Sequence, residues 1–299
     1  MTNTSPDAPL PVSVNSNEAL HVMNQNLNVN MSTTAQATVE VQTGQTEPSA
    51  PVLAARNASV GFGGKTVLTG VGVDFAKGTI TAVIGPTGCG KSTLLRSFNR
   101  MNDKTSGYWR TGSIELDGSD VSRKGVDLLD LRRRVGMVFQ RPNPFPMSIR
   151  DNVVAGVRAH RMAPRRKLAA TAEHYLRQVG LWGAVSERLG DSPFRLSGGQ
   201  QQLLCLARAL AVEPEVLMLD EPTSSLDPIA TEMVEDLLRK LIPAITIVIV
   251  THNLHQARRL AGRTAFLYDG RLVESGDTAE IFSSPREPET VSYIGGRIG

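Results

Sequence analysis

Residues 79–95 read TITAVIGPTGCGKSTLL, and this stretch decides the fold of the chain. An apolar, β-branched run and a helix-forming run flank a segment that matches the pattern G-x-x-x-x-G-K-S/T. The pattern predicts a buried strand, a glycine-rich loop and a helix that starts at the loop. In that geometry, backbone N–H groups and the positive end of the helix dipole form a cradle for phosphate groups. The chain is therefore predicted to bind a nucleotide.

The loop also assigns individual contacts. We expect Lys91 to reach the β- and γ-phosphates of ATP and Ser92 to bind Mg²⁺. We interpret Cys89, at a variable position of the loop, as a tolerated small residue rather than a redox sensor. The predicted ATP-binding residues of this segment are Gly85, Pro86, Thr87, Gly88, Cys89, Gly90, Lys91, Ser92 and Thr93.

Two carboxylates follow a second apolar run, residues 216–219. A carboxylate at the end of a buried strand suits Mg²⁺ held through water, and this role is assigned to Asp220. Glu221 is placed to orient and activate the attacking water. The structural alternative is that the two acids cap the following turn, but the phosphate loop upstream favours the catalytic interpretation.

Gln140 and His252 end two further apolar runs, residues 135–139 and 245–250. An amide can contact both Mg²⁺ and water, and a histidine there could contact the γ-phosphate and sense hydrolysis. Taken alone, each would more often be an ordinary polar residue at a strand end. The predicted catalytic residues are Lys91, Gln140, Glu221 and His252; the predicted metal ligands are Ser92, Gln140 and Asp220.

Residues 196–200 read LSGGQ and open a predicted helix over 200–211. Its glycines let the backbone approach a phosphate, Ser197 offers a hydroxyl, and the helix dipole attracts an anion. The alternative is an ordinary N-cap, since serine and glycine are common there. The position twenty residues before Asp220 favours the second anion grip.

Composition excludes several classes of protein. The 299 residues are 40% apolar, sufficient for a core, and two cysteines rule out a disulfide framework. No run of 18 apolar residues occurs, so no membrane span is predicted. The net charge of +3 could favour anionic ligands or a membrane surface, but it is weak support for nucleic-acid binding.

Residues 1–50 differ from the rest of the chain. They are polar, contain no lysine or arginine and carry four acids, so the other 249 residues carry +7. The expectation is a disordered tail without a secretory signal. A wrongly chosen start codon is the alternative, because Met31 is available downstream. We expect removal of this tail to leave ATP hydrolysis unchanged, as a phosphate-release assay would show.

The remaining residues predict an α/β fold. Residues 58–62 and 67–75 alternate as strands around a Gly63-Gly64 turn, and later strands alternate with helices over 200–211 and 228–241. Such alternation favours a mostly parallel sheet flanked by helices, with an antiparallel β subdomain at the start. Residues 150–200 look helical and predict an inserted helical subdomain, with arginines and lysines clustered at 158–167.

In order and spacing, these motifs, together with Ser225-Leu-Asp227, resemble the ATP-binding-cassette ATPases over residues 52–299. The resemblance implies a P-loop NTPase core over 51–299 and head-to-tail dimers in which each ATP lies between two copies. The residues implied to contact ATP bound to the other copy are Ser197, Gly198, Gly199, Gln200 and Asp227. It also implies an aromatic that stacks on adenine, for which Phe62 is the candidate; the alternative is a strand aromatic packed in the core.

A closer resemblance is to the ATPase subunits of bacterial phosphate importers. It rests on residues 99–103 (NRMND), 140–149 (QRPNPFPMSI), 251–253 (THN) and 293–297 (YIGGR). It implies a peripheral ATPase at the cytoplasmic face of the membrane, with two permease subunits docking near 140–149 and an extracytoplasmic phosphate-binding protein as an indirect partner. Nucleic acid is not an expected partner.

Three alternatives stay open at this point. The same machine could serve another solute, and only the segment 140–149 and the flanking motifs favour phosphate. A soluble cassette ATPase acting on nucleic acid or the ribosome typically carries two cassettes or a long coiled coil, whereas this chain has one phosphate loop and no sustained heptads. A regulator without turnover is disfavoured by Glu221 and His252.

Leu203 departs from the family pattern, which usually has arginine three residues after the signature glutamine. The change removes a cation from the first turn of that helix. We expect lower, but not abolished, ATPase activity relative to a Leu203→Arg variant, or no effect if the side chain faces inward.

Overall fold

The computed structural model describes residues 50–298. The expected tail, residues 1–49 of it, lies outside the described residues. Within the described part, a six-stranded and a four-stranded sheet are surrounded by helices. This confirms the predicted α/β class with an antiparallel β subdomain.

The central sheet has the strand order β10-β9-β3-β8-β7-β6. Its strands are β3 (Ile80–Ile84), β6 (Val135–Val138), β7 (Val216–Asp220), β8 (Thr246–Val250), β9 (Arg263–Tyr268) and β10 (Arg271–Asp277). All pairs are parallel except β9 with β10. Every residue of β3, β7 and β8 is buried, which explains their continuous apolar sequences. Their carboxyl ends meet at one edge of the sheet, where the site is built.

Two apolar clusters cover the two faces of this sheet. Alternate residues of each strand enter different clusters: Ile84 and Leu219 join one, whereas Val83 and Met218 join the other. This follows from the period of two in a strand. The helices that cover the sheet are therefore held mainly by burial of apolar surface, at about 25 cal/mol per Å².

The antiparallel sheet has the order β2-β1-β4-β5. It comprises β1 (Pro51–Phe62), β2 (Lys65–Ala76), β4 (Tyr108–Leu116) and β5 (Ser119–Asp120). The predicted Gly63-Gly64 hairpin is confirmed, with Phe62 paired to Lys65 and Gly63 at a φ of 59°. The sequence interpretation did not assign β4 and β5, and β4 supplies the second neighbour of β1.

The helices of the described residues include those expected after the phosphate loop and near 200–211 and 228–241. They are α1 (Lys91–Phe98), α2 (Leu128–Arg134), α3 (Ile149–Ala159), α4 (Leu168–Gln178), α5 (Trp182–Val185), α6 (Gly198–Leu210), α7 (Pro228–Leu241), α8 (Leu254–Leu260), α9 (Thr278–Ser283) and α10 (Pro288–Ile294). Helix α1 ends at Phe98, shortly before Arg100, whose left-handed φ of 58° a right-handed helix cannot include.

Helices α3, α4 and α5 follow one another between β6 and α6. Their buried faces include Val153, Ala172 and Leu176, which belong to the same apolar cluster as Leu204 of α6. Among the described residues, no helix is both long enough and apolar enough to cross a bilayer.

Candidate active site

The phosphate loop joins the carboxyl end of β3 to the start of α1. Gly85 is required at its first position: its φ is 149°, and a Cβ there would lie 2.0 Å from the carbonyl oxygen of Leu267. Gly90 precedes the helix at a φ of 108°, where a Cβ would lie 2.6 Å from the side chain of Leu68. Close packing therefore fixes the loop from the side of the core.

The ammonium group of Lys91 lies within this loop. It donates hydrogen bonds of 2.7 Å to the carbonyl oxygens of both Gly85 and Pro86, and the residue is 7% exposed. A buried cation beside backbone N–H groups makes this turn a strong site for an anion.

Cys89 turns its thiol toward the core. The side chain is buried in the apolar cluster of the antiparallel sheet, 3.9 Å from the Lys91 ammonium. Burial raises the pKa of the Cys89 thiol, although the charge of Lys91 opposes this. A protonated, enclosed thiol fits the interpretation of Cys89 as a tolerated small residue.

Ser92 and Asp220 meet although 128 residues separate them. The Ser92 hydroxyl donates to Oδ1 of Asp220 at 3.0 Å, and Arg96 lies 4.0 Å from Oδ2. Burial raises the pKa of the Asp220 carboxyl, and the Ser92 hydrogen bond and the charge of Arg96 offset that rise only in part. The pair thus combines a hydroxyl with a carboxylate whose negative charge is only partly balanced by neighbouring groups. Both can supply oxygen ligands to a metal ion.

Glu221 is held between Gln140 and His252. The Gln140 amide donates to Oε2 at 2.8 Å, and His252 Nδ1 lies 3.1 Å from Oε1. Glu221 adopts a left-handed φ of 47°, and its N–H donates to Val250 at the end of β8. At this sharp backbone turn, the carboxylate lies beside Gln140 and His252, which follow the ends of the neighbouring strands.

These groups line one cleft of about 640 Å³. The predicted residues that line it are Gly85, Pro86, Thr87, Gly88, Gly90, Lys91, Ser92, Thr93, Gln140, Glu221 and His252. The fold therefore brings most of the phosphate loop and three predicted catalytic side chains to one place. Asp220 reaches this group through Ser92.

Phe62 stands apart from the other predicted ATP contacts. It ends β1, is half-buried and packs at 5.8 Å from the ring of Tyr108, whereas the cleft lining begins at Val67. Its assignment to the adenine stays a prediction.

The Ser-Gly-Gly-Gln turn opens α6 and forms a capping box. Ser197 Oγ accepts from the Gln200 N–H at 3.3 Å, and Gln200 Oε1 accepts from the Ser197 N–H at 3.2 Å. Ser197 and Gly198 are exposed, and none of residues 197–200 lines the cleft. Asp227 is likewise exposed and caps α7 through a 2.9 Å bond from the Ala230 N–H.

Comparison with known proteins decides the family. The family profile described as "ABC transporter" matches residues 68–224, more than half of the chain. The chain belongs to the ABC transporter ATPase family.

Two curated relatives are similar over most of their length. The phosphate import ATP-binding protein PstB 2 of Mycobacterium tuberculosis is 57% identical over 253 residues, covering 85% of this chain and 91% of the relative. The phosphate import ATP-binding protein PstB of Mycobacterium intracellulare is 59% identical over 243 residues, covering 81% and 85%.

Among solved structures, a dimeric post-hydrolysis state of an ATP-binding cassette, bound to ADP and Pi, has a TM-score of 0.67. It is 28% identical to this chain and covers 76% of it and 98% of that cassette. The structure of cbiO1 from Clostridium perfringens, part of an ABC transporter complex, has a TM-score of 0.66 and 29% identity, covering 81% and 95%.

In this ABC ATPase, the segment 140–149 is braced by side chains that the sequence interpretation did not single out. Asn152 accepts from the Phe145 N–H at 2.7 Å and donates to the Phe145 and Met147 carbonyl oxygens. The Arg208 guanidinium of α6 lies 4.1 Å from the Phe145 ring centroid and donates to Asn143 at 2.7 Å. The signature helix therefore contacts this segment directly, while Phe145 and Met147 stay 41% and 40% exposed.

Leu203 lies in the second turn of α6. It is half-buried against the apolar cluster that includes residues of α3 and α4. Its neighbour Gln202 is buried and donates to the Phe139 carbonyl oxygen at 2.9 Å. Leu203 therefore has a packing role in this chain, besides any effect of the missing cation.

Three residues of the cleft lining were not predicted as site residues: Val67, Leu254 and Tyr293. Val67 and Leu254 carry no pattern that marks them. Tyr293 begins the YIGGR segment, which the sequence analysis used only for resemblance, so that segment was an available signal.

Proposed function

We propose that this ABC ATPase is the ATP-hydrolysing, energy-coupling subunit of an importer for inorganic phosphate. The observation that carries the proposal is the single cleft in which Lys91, Ser92 and the Gln140–Glu221–His252 group converge. The names of relatives at 57–59% identity support phosphate as the solute. Phosphate itself would be bound by other subunits.

In this proposal, the amides of residues 85–93 cradle the ATP phosphates, and Lys91 balances charge at the β- and γ-phosphates. Phe62 stacks on the adenine, with Tyr108 as its neighbour. Closing the site around the phosphates is the main task of the protein, because phosphoryl transfer needs positioned charges more than covalent help.

Ser92, Gln140 and Asp220 are the proposed Mg²⁺ ligands. A hydroxyl, an amide oxygen and a carboxylate are the hard oxygen donors that Mg²⁺ prefers. The raised pKa of Asp220, caused by burial, fits a carboxylate that lacks a full cationic partner within the chain. When bound, the ion supplies charge neutralisation at the phosphate oxygens.

Glu221 is the proposed acceptor for the proton of the attacking water. One oxygen is fixed by the Gln140 amide and the other faces His252 Nδ1. Movement of Gln140 or His252 would therefore redirect the carboxylate. His252 is 62% exposed on its side chain, so it can also reach the γ-phosphate as proposed.

We further propose that residues 197–200 and Asp227 contact ATP held by a second copy. Ser197 and Asp227 cap the starts of α6 and α7, and residues 198–200 form the first turn of α6, where backbone N–H groups favour an anion. A site shared between two copies couples closure of the dimer to nucleotide binding.

The proposed domain is a nucleotide-binding cassette over 51–299, with a helical subdomain at about 150–200. Two permease subunits are proposed to dock on segment 140–149, where exposed Phe145 and Met147 are held rigidly by Asn152 and Arg208. That places the protein at the cytoplasmic face of the membrane, with an extracytoplasmic phosphate-binding protein as an indirect partner and no nucleic acid.

A Glu221→Gln variant tests the catalytic assignment. The amide cannot accept the proton of water, so hydrolysis should fall at least about 100-fold, and an ATP-bound dimer should accumulate. Phosphate release and size-exclusion chromatography with light scattering measure these two effects. Glu173→Gln, on the outer face of α4, is the matched control and should hydrolyse ATP at the parent rate. Parent-like hydrolysis by Glu221→Gln would show that the role assigned to Glu221 is wrong.

Uptake of labelled phosphate tests the solute. Cells that lack this chain but retain its partners should regain phosphate uptake with the parent gene and not with Glu221→Gln. Restoration of another oxyanion, such as sulfate, without restoration of phosphate would identify the same machine serving a different solute.

A further inference from the structure

The last helix of the chain reaches the nucleotide cleft, although no motif for nucleotide binding lies within it. Tyr293 of α10 is 7% exposed and lines the cleft with Gly85 and Lys91. Burial raises the pKa of Tyr293, and the nearby backbone of Gly85 opposes that rise. The phenol therefore stays protonated and lies beside the first residue of the phosphate loop.

The ring of Tyr293 is held by the central sheet. It stacks on Phe266 with ring centroids 4.9 Å apart and planes 20° apart, and Phe266 is fully buried. Phe266 of β9 is also the register partner of Ile84, the residue before Gly85. The loop and the tyrosine are therefore both positioned by the same rung of the sheet.

Gly85 has little space on the side of β9, since a Cβ there would lie 2.0 Å from the Leu267 carbonyl oxygen. With Tyr293 near its backbone, the first residue of the loop is enclosed between β9 and α10. A loop enclosed in this way loses less freedom when it binds phosphate.

Helix α10 is itself anchored away from the cleft. The Glu274 carboxylate of β10 accepts from the Arg286 N–H at 2.9 Å and from the Glu287 N–H at 3.2 Å, just before the helix starts. Since β10 pairs with β9, the anchor and the stacked ring are parts of one sheet edge.

We infer that Tyr293 is a positioning residue for the phosphate loop: its buried ring, stacked on Phe266, lies beside Gly85 and keeps the loop amides oriented before ATP binds. This inference rests on the nucleotide binding proposed above. It assigns a role to α10, and to the YIGGR segment at 293–297, in the affinity for nucleotide. Because the contact is to the loop, it acts equally on any nucleotide with a β-phosphate.

The affinities of the full chain for Mg-ATP and Mg-ADP test this, measured by isothermal titration calorimetry. Tyr293→Phe should weaken both nucleotides by about threefold, because the hydroxyl no longer lies beside Gly85. Tyr293→Ala should weaken both by roughly tenfold or more, since the loop loses its support. For Tyr293→Phe, the KM for ATP should rise while kcat at saturating ATP stays unchanged.

Tyr268→Phe is the matched control. Tyr268 is the other aromatic neighbour of Phe266, at 6.1 Å, but it does not line the cleft. Its nucleotide affinities should equal those of the parent. Thermal unfolding of Tyr293→Phe shows whether the variant is still folded. An unchanged Tm together with a lower nucleotide affinity would assign the effect to the loop and not to loss of the fold.

Two results would overturn the inference while leaving the proposed function intact. One is parent-like affinity in both Tyr293 variants; the other is a loss confined to ATP, which would mean that the phenol acts on the γ-phosphate. A parent chain that binds neither nucleotide would overturn the proposed function, and the inference with it.

Discussion

The phosphate loop and the Ser-Gly-Gly-Gln turn are both glycine-rich segments that open a helix, but different side chains surround them. In the first, Lys91 is 7% exposed and bonded to two carbonyl oxygens, and the loop faces side chains from three other strand ends. In the second, the side chains of Ser197 and Gln200 accept only from each other's backbone N–H groups, and the turn lies outside the cleft. The same local chemistry thus gives a site completed within the chain and a surface that needs another molecule.

A mixing experiment would break this comparison if it is wrong. Lys91→Ala should reduce ATP affinity at least about 100-fold, because charge-assisted bonds to phosphate are lost. Ser197→Ala should bind ATP like the parent but hydrolyse it slowly. In a head-to-tail heterodimer of the two variants, both changes fall in one site and the other site is intact. ATPase activity of the mixture should therefore exceed the sum of the separate variants.

The control for the mixture is Lys91→Ala combined with a Lys91→Ala/Ser197→Ala double variant, whose heterodimer has no intact site. Activity of the first mixture no greater than the sum of its two separate variants would argue that each chain completes its own site. Binding of ATP by Ser197→Ala is checked separately by calorimetry, so that loss of fold is not mistaken for loss of the second grip.

Asp220→Asn tests the part of the site that is completed within the chain, around the phosphate loop. The raised pKa of Asp220 means that its ionised form is disfavoured in the folded state, so the amide should stabilise the fold by on the order of 1 kcal/mol at neutral pH. Mg²⁺-dependent hydrolysis should fall by about 100-fold. Urea unfolding and phosphate release measure the two effects.

The stability difference between Asp220→Asn and the parent should depend on pH. A carboxyl with a raised native pKa binds its proton more readily when folded, so the parent loses stability as the pH rises through that pKa. The advantage of Asp220→Asn should therefore shrink as the pH is lowered toward the ordinary carboxyl pKa. An advantage that grows in acid would contradict the burial argument.

Leu203→Arg tests the helix that the Ser-Gly-Gly-Gln turn opens, and it should have the smallest effect on activity. The added cation should raise ATPase activity about twofold to fivefold, the range for a modest charge effect at a helix start near an anion. Leu203 packs against the core, and the arginine stem can cover part of that surface while its head reaches solvent. Turnover with the membrane partner present is the measurement, and Leu203→Met controls for packing. Equal turnover of the parent and the arginine variant would show that the departure at this position is silent.

The polar residues at the strand ends are the part of the site that local sequence patterns could predict. Apolar runs followed by Gln140, Asp220-Glu221 and His252 could be recognised because a buried parallel strand has a simple pattern and its carboxyl end is where polar residues gather. Alternation likewise located β1 and β2. Strand β4 was not assigned, since its exposed and half-buried residues give no continuous apolar signal.

Tyr293 shows where sequence reasoning stopped. Its distance from Gly85 along the chain is large, and an aromatic at the start of a short segment is more often a core residue. Only the pairing of β9 with β3 and the stacking on Phe266 bring it to the loop. The bracing of segment 140–149 by Asn152 and Arg208 was hidden for the same reason.

By itself, the sequence determined the phosphate loop, the polar residues at the strand ends and the signature turn, because each is a local pattern whose chemistry depends on neighbouring residues. The tertiary structure decided which of them meet: Ser92 with Asp220, Gln140 with Glu221 and His252, and Tyr293 with the loop. It also placed residues 197–200 outside that cleft. Such contacts depend on strand order in the central sheet, which is set by the burial of apolar faces across the whole domain rather than by any one segment.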